Sequence, residues 1–262
     1  MKASWQGYIA LGQLGIPVKL YSATRQTRPK FVQLHEKDSA PIERVLKCSA
    51  ENKEVSYKEV VRAVEYEPGH FITMTGRELE RNLPVSTKTI DVKQFCDRSD
   101  IDPIYYEKSY YVTPSKGGER AYALLREALT RSGKLMIAQF ALFGREHIGA
   151  IGLHRDLLVL QQLRFADEII PRSEVKTRSL PRPSPNEVST LKSVIDHFSG
   201  PFYIEDYHDD YTEQVRMLIE RKIKGLPPPR REPTSANATP EKEIISALKN
   251  TLSASKQELA AN

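Results

Sequence analysis

The sequence predicts a mixed α/β protein, rich in β-structure through its first two-thirds and helical after that. Three observations carry the reading. Lys134–Phe143 and Asp156–Phe165 are the longest strand candidates, and both are apolar on two faces, as central strands of a closed or covered sheet are. Helical spacing of apolar residues becomes the dominant pattern only in the last third. Between that helical section and the C-terminal segment lies LPPPRREPTSANATP, residues 226–240, a linker by composition.

Along the chain, Trp5 to Tyr21 holds two short apolar runs broken at Gly12 and Gly15, with Pro17 where an edge or bend tolerates it. Phe71–Met74, Ile90–Phe95 and Tyr110–Thr113 are further strands. GREHIGAIGLHR, between the two long ones, reads as a glycine-punctuated connection. Thr75 and Glu78 have capping-box spacing and open a short turn that Pro84 ends. Ala121, Leu124, Leu125, Ala128 and Leu129 share one face of a helix that stops near Gly133. Ser184 and Glu187 form a second capping box, with Pro185 in the first turn and Val188, Leu191, Ile195 and Phe198 on one face. Val215, Leu218, Ile219 and Ile223 mark another helix, ended by Gly225 and Pro227. Ile244, Ile245, Leu248 and Leu252 make a short amphipathic helix after the linker.

Composition excludes several classes. No apolar run approaches the length needed to cross a bilayer. The opening MKASWQGYIALGQLGIPVKLYSAT is interrupted by Gln6, Gln13 and Lys19, so it lacks the continuous apolar core of a signal peptide. Cys48 and Cys96 are the only cysteines, too few for a disulfide scaffold or a cysteine-pair zinc site, and read as reduced structural thiols in a cytoplasmic protein.

The charge is concentrated. Lys19–Arg62 holds ten Lys or Arg against six Asp or Glu, four of the chain's net +5, and Lys2 supplies the fifth. A basic segment on a neutral body points to local contact with a polyanion, foremost nucleic acid. Phe31, Val32, Leu34, Ile42, Val45, Leu46, Val55 and Tyr57 interleave with the cations, which predicts folded, strand-like structure rather than a disordered basic tail.

Set out in order, GYIALGQLGIPVKLYSAT, VQLHEKDSAPIERV, KEVVRAVEYEPGHFITMTGREL, IDPIYYEKSYYVTPSKGGERAYALLREAL, MIAQFALFGREHIGAI and LVLQQLRFADEI resemble the core of the bacterial Ku proteins. The likeness is collinear over most of the first 170 residues. It implies a Ku-type β-barrel core at 1–180 with a bridge arm at about 31–65, a helical section at 181–225, the linker at 226–240 and a short tail at 241–262. It also implies a homodimeric ring around double-stranded DNA ends in non-homologous end joining. Such a binder accepts any sequence, so it should contact phosphates and avoid base edges. The candidate contacts are Arg25, Arg28, Lys30, Lys37, Arg44, Lys47 and Lys53, with His35 as a polar contact. About 30 residues of extended chain reach on the order of 100 Å, half that as a hairpin, so two arms can close around a duplex.

The tail EIISALKNTLSASK is similar to the segment through which bacterial Ku proteins engage their partner DNA ligase, which makes Ile244, Ile245, Leu248 and Leu252 the candidate ligase contacts. The lysine-rich extension of many relatives is replaced by Lys242, Lys249 and Lys256, offset by Glu241, Glu243 and Glu258. No cofactor, metal or membrane partner is expected, and the place of action is the bacterial cytoplasm, at breaks in the nucleoid.

Two other readings are tested by the residues. EDYHDDY gathers Glu205, Asp206, His208, Asp209 and Asp210, which could bind a metal and cut a phosphodiester, but the cluster sits where carboxylates favour a helix N-terminus. The chain is therefore read as non-catalytic. A β-barrel for single-stranded nucleic acid is the rival binding module, with Tyr105, Tyr106, Tyr110 and Tyr111 as its stacking aromatics.

Overall fold

The computed structural model describes residues 1–81, 88–227, 246–248 and 250. Its strands and helices follow in chain order as β1 (Trp5–Leu11), β2 (Leu14–Ser22), β3 (Arg62–Glu67), β4 (His70–Met74), α1 (Gly76–Arg81), β5 (Thr89–Cys96), β6 (Tyr106–Pro114), α2 (Glu119–Ser132), β7 (Leu135–Leu142), β8 (Arg145–His154), β9 (Leu157–Leu163), α3 (Pro185–Phe198) and α4 (Asp210–Ile223). Two units divide them. Residues 1–26 and 32–174 form one, and residues 27–31 with the chain from Val175 onward form the other.

The first unit is built on a closed barrel in the order β1-β2-β6-β9-β8-β7-β5. Six contacts in the ring are antiparallel, and parallel pairing of β1 with β5, Tyr8 opposite Thr89, closes it. Alternation along the strands sends Ile16, Val18 and Leu20 of β2, Val112 of β6 and Leu158 and Leu160 of β9 into one core, all fully buried. Pro17 pairs only with Tyr8 of β1, because the ladder to β6 starts at Val18. That position spares the ladder the amide that proline lacks.

β7, β8 and β9 are apolar on both faces for a visible reason. On their far side Leu135, Ile137, Ala150 and Leu163 form a second cluster, covered by Ile101, Tyr105 and Tyr106. GREHIGAIGLHR is not a connection. It is β8, paired to β7 and β9 along its length. A Cβ on Gly149 would lie 2.7 Å from Leu160 Cδ1, and one on Gly152 2.4 Å from Leu135 Cδ2. The glycines thus mark close side-chain approach within a strand rather than a turn.

α2 ends as expected at Gly133, whose left-handed φ of 66° and N–H to the Leu129 carbonyl form the C-terminal cap. Its buried face differs from the periodic one. Tyr122, Leu125 and Leu129 are buried, while Leu124 is 67% exposed. The Tyr122 hydroxyl is the reason. It donates to the Val112 carbonyl at 2.8 Å and accepts from the Leu158 N–H at 3.1 Å, tying α2 to β6 and β9 from inside.

In the second unit, Ser184 caps α3 by accepting from the Glu187 N–H while Glu187 accepts from the Ser184 N–H at 2.7 Å. Asp209 caps α4 by accepting from the Thr212 N–H and hydroxyl. No described helix is long and apolar enough to cross a membrane.

Replacing Tyr122 by Phe removes the acceptor for a buried backbone N–H. We expect Tyr122→Phe to lower unfolding free energy by about 1–3 kcal/mol, read as a fall in urea midpoint at unchanged slope.

Candidate nucleic-acid interface

Past β2 the chain leaves the barrel, the Ala23 N–H making a last bond to the Ser109 carbonyl at 3.0 Å, and it returns only as β5. The strand-like structure expected across the basic segment is confined to its two ends. Lys19 and its neighbours belong to β2, Arg62 opens β3, and residues 32–61 carry no extended ladder. Nothing buries this segment, so its apolar residues have no sheet to complete.

Two turns of one design shape it instead. In His35–Ala40, the His35 N–H donates to the Ala40 carbonyl and the Ser39 N–H donates to the His35 carbonyl, both at 2.8 Å. In Cys48–Lys53, the Cys48 N–H donates to Lys53 and the Asn52 N–H to Cys48, both at 2.9 Å. The fifth residue of each is left-handed, Ser39 at φ 56° and Asn52 at φ 60°. A single bridge flanks each turn, Leu34 to Pro41 and Lys47 to Glu54. The side chain that braces the turn differs. In the first, Asp38 accepts from the Ala40 N–H at 3.0 Å and pairs with His35 Nδ1 at 2.9 Å. In the second, the amides of Glu51 and Ala50 donate to the Cys48 sulfur and hold its thiol below the usual range.

The arm then ends in the β3–β4 hairpin and α1. No side chain from Val32 to Arg81 is buried. In the hairpin register Val64 faces Ile72 and Arg62 faces Met74, so Val64, Ile72 and Met74 share a face that is apolar and open. At its base Tyr57, Val60, Val61, Met74 and Leu79 line a hollow of about 740 Å³. The alternation Val64-Glu65-Tyr66-Glu67 in the sequence announces this open apolar surface.

The candidate contacts fall into two groups. His35, Lys37, Arg44, Lys47 and Lys53 lie on the arm, all but His35 and Arg44 without a side-chain bond among the described residues. Arg44 donates to Gln33 Oε1 at 3.3 Å. Arg25 follows the barrel edge, whereas Arg28 and Lys30 belong to the second unit. There Arg28 lies 3.5 Å from Asp209, and Arg216 donates to the Thr27 carbonyl at 3.1 Å. Outside the barrel, Arg98, Tyr111, His154 and Gln161, with Leu153 and Val159, line a mixed hollow of about 200 Å³ next to Ala23, a feature no sequence pattern singled out.

The charge distribution is finer than the total suggests. Lys19, Arg25, Arg28 and Lys30 are four cations with no carboxylate among residues 19–30, whereas residues 32–62 hold six cations and six carboxylates. Two of those six carboxylates, and Glu65 just beyond them, are turned to the backbone. Asp38 accepts from Ala40, Glu59 from the Ser56 N–H at 2.8 Å and Glu65 from the Gly69 N–H at 2.8 Å. These amides depress the Asp38 and Glu59 carboxyls.

The other sequence candidates are also placed. Tyr110 is buried at 2% exposure, and Tyr105 and Tyr106 pack against the outer cluster, so those tyrosines fill the barrel walls rather than offer a stacking platform. Asp209 of EDYHDDY is occupied as a helix cap. Of the tail, Leu248 is described and half-buried, whereas Ile244, Ile245 and Leu252 lie outside the described residues.

A closed seven-stranded barrel from which a long charged arm runs out and back defines a barrel-and-arm class of protein. The family model for the Ku70/Ku80 beta-barrel domain matches residues 10–190, and the chain belongs to the Ku family. It is 36% identical over 249 residues to the non-homologous end joining protein Ku of Anaeromyxobacter sp. (strain K), covering 94% of this chain and 84% of that one. It is 33% identical over 259 residues to the protein of the same name from Koribacter versatilis (strain Ellin345), covering 97% and 87%. With that of Archaeoglobus fulgidus it shares 33% over 257 residues, 98% of this chain and all of the relative.

Asp209 yields a pH prediction. Its carboxyl is held below the usual range first by the Thr212 hydroxyl and amide, then by Arg28. A depressed folded-state value stabilises the α4 cap fully above the ordinary aspartate range, and this is lost as pH falls through the folded value. Hydrogen exchange at the Thr212 amide should therefore accelerate at acid pH beyond its intrinsic trend, and Asp209→Asn should abolish that step.

Proposed function

We propose that the protein is a homodimeric ring that binds double-stranded DNA ends without reading sequence and recruits a bacterial DNA ligase to join them. Its place of work is the bacterial cytoplasm, at breaks in the nucleoid. It acts as a scaffold and supplies no catalytic step. The observation that carries the reading is the coreless arm, which presents lysines with no ion-pair partner among the described residues and an open apolar hairpin face together.

Each half of that observation asks for a partner. A two-stranded hairpin is marginal in water, and its exposed apolar face calls for protein contact. A second copy of the same chain supplies it in the simplest closed form, a twofold pair. The turns holding Lys37, Lys47 and Lys53 then line an opening from both sides. Lysines on turns carry no base-reading geometry and suit phosphates alone. The relatives are named for non-homologous end joining, and a threaded collar gives that process a binder that finds ends. The tail's Ile244, Ile245, Leu248 and Leu252 supply a helical stripe for the ligase.

Light scattering should give twice the chain mass, and Val64→Asp with Ile72→Asp should return it to one chain and abolish end binding. A linear duplex should retain the protein while a sealed circle of the same sequence does not; equal capture by the circle sinks the proposal. With about six to eight phosphates neutralised, log affinity should fall against log salt with a slope of roughly −5 to −7. Because the ring is twofold, Lys47→Ala should reduce that slope by about 2. Base sequence should have no effect.

A further inference from the structure

α3 carries an apolar stripe that is never fully covered. Val188, Leu191 and Ile195 recur at helical spacing, yet no residue of α3 is buried. Pro181 and Pro183, which lead into the Ser184 cap, wall the same face, and together they form a groove of about 610 Å³. One further residue lines it from far along the chain. Leu248, in the helical turn at 246–248, faces the groove beside Leu191 and Ile195.

We propose that this groove is the resting seat of the chain's own C-terminal segment, residues 241–252, from which a partner must draw it. The competition with a ligase rests on the reading given above; the seat itself does not. Ile244 or Ile245, Leu248 and Leu252 are spaced by about one turn, the same rhythm as Val188, Leu191 and Ile195, and match a helix laid in a groove. Length permits it. The 15 residues at 226–240 span up to about 45 Å as extended polyproline chain and about 20 Å as coil.

The energetics suit a reversible seat. A free helix this short is marginal in water, so docking folds it and its grip stays modest. A short tether compensates by holding the segment at millimolar effective concentration. Occupancy of the groove and engagement of a partner then use the same leucine, and each must weaken the other by the same factor.

The test uses the full chain and two variants on opposite sides of the contact. Leu248→Asp alters only the tail, and Leu191→Asp alters only the groove. Amide exchange across 186–198 should accelerate on the order of tenfold in Leu248→Asp, and exchange across 246–250 should accelerate similarly in Leu191→Asp, in line with a millimolar tether. If neither substitution changes exchange in the other segment, the seat does not exist. Affinity for a bacterial end-joining DNA ligase separates the two readings. Leu191→Asp should raise it on the order of tenfold by linkage, while Leu248→Asp should lose it. Coupled exchange with a ligase indifferent to both variants overturns the ligase role and leaves the seat. Loss of ligase binding in Leu248→Asp without coupled exchange overturns the seat and leaves the ligase role.

Discussion

The parallel pairing of β1 with β5 is the constraint on which the rest of the first unit depends. It requires the chain to leave the barrel after Ser22, make an excursion of more than sixty residues and come back beside the strand it started from. Because β2 pairs antiparallel with β1, Leu20 sits opposite Trp5; because β5 pairs parallel, Thr89 sits opposite Tyr8. Both roots of the arm therefore lie toward the N-terminal end of β1, one strand to either side of it. The arm is a loop clamped at both ends, not a tail. Without that pairing the barrel would keep two open edges and the arm would lose one of its anchors.

A clamped loop of this length must either build its own core or borrow one. This arm does neither within one chain. Its turns are closed by backbone bonds and by Asp38 and Cys48, which braces each tip locally without burying anything. Such construction is sufficient to shape a tip and insufficient to fix a long reach, since exposed hydrogen bonds contribute little net stability. A segment so built adds an entropic penalty to any binding that orders it.

Legibility in the sequence followed burial. Where two partners fix a strand, as in β7 and β9, the apolar runs gave the element and its central place directly. β8 was hidden because Gly149 and Gly152 speak of turns by composition, and only the facing Leu160 and Leu135 side chains reveal that they make room. Tyr122 was hidden because its value lies in a hydroxyl that reaches two strands, a contact no periodicity encodes. On the arm, alternating apolar residues resembled strands, but periodicity describes a face and not the presence of something to face. The cations were legible as a group; their division between arm and second unit, and the bond of Arg28 to Asp209, required coordinates.

The charge on the arm carries the final step. Six cations against six carboxylates between 32 and 62 would ordinarily describe a neutral surface with no pull on DNA. Yet the two kinds of charge have different tethers. Short side chains such as Asp38 are drawn onto amides within the turn, where they act as struts. Lysine's charge rides on four methylenes and, at Lys37, Lys47 and Lys53, has no ion-pair partner among the described residues. Net charge alone therefore does not describe how the two signs are held along the arm. Reversing the arrangement, with Asp38 replaced by Asn, would keep a side-chain acceptor for the Ala40 amide and raise the arm's positive charge at the same time.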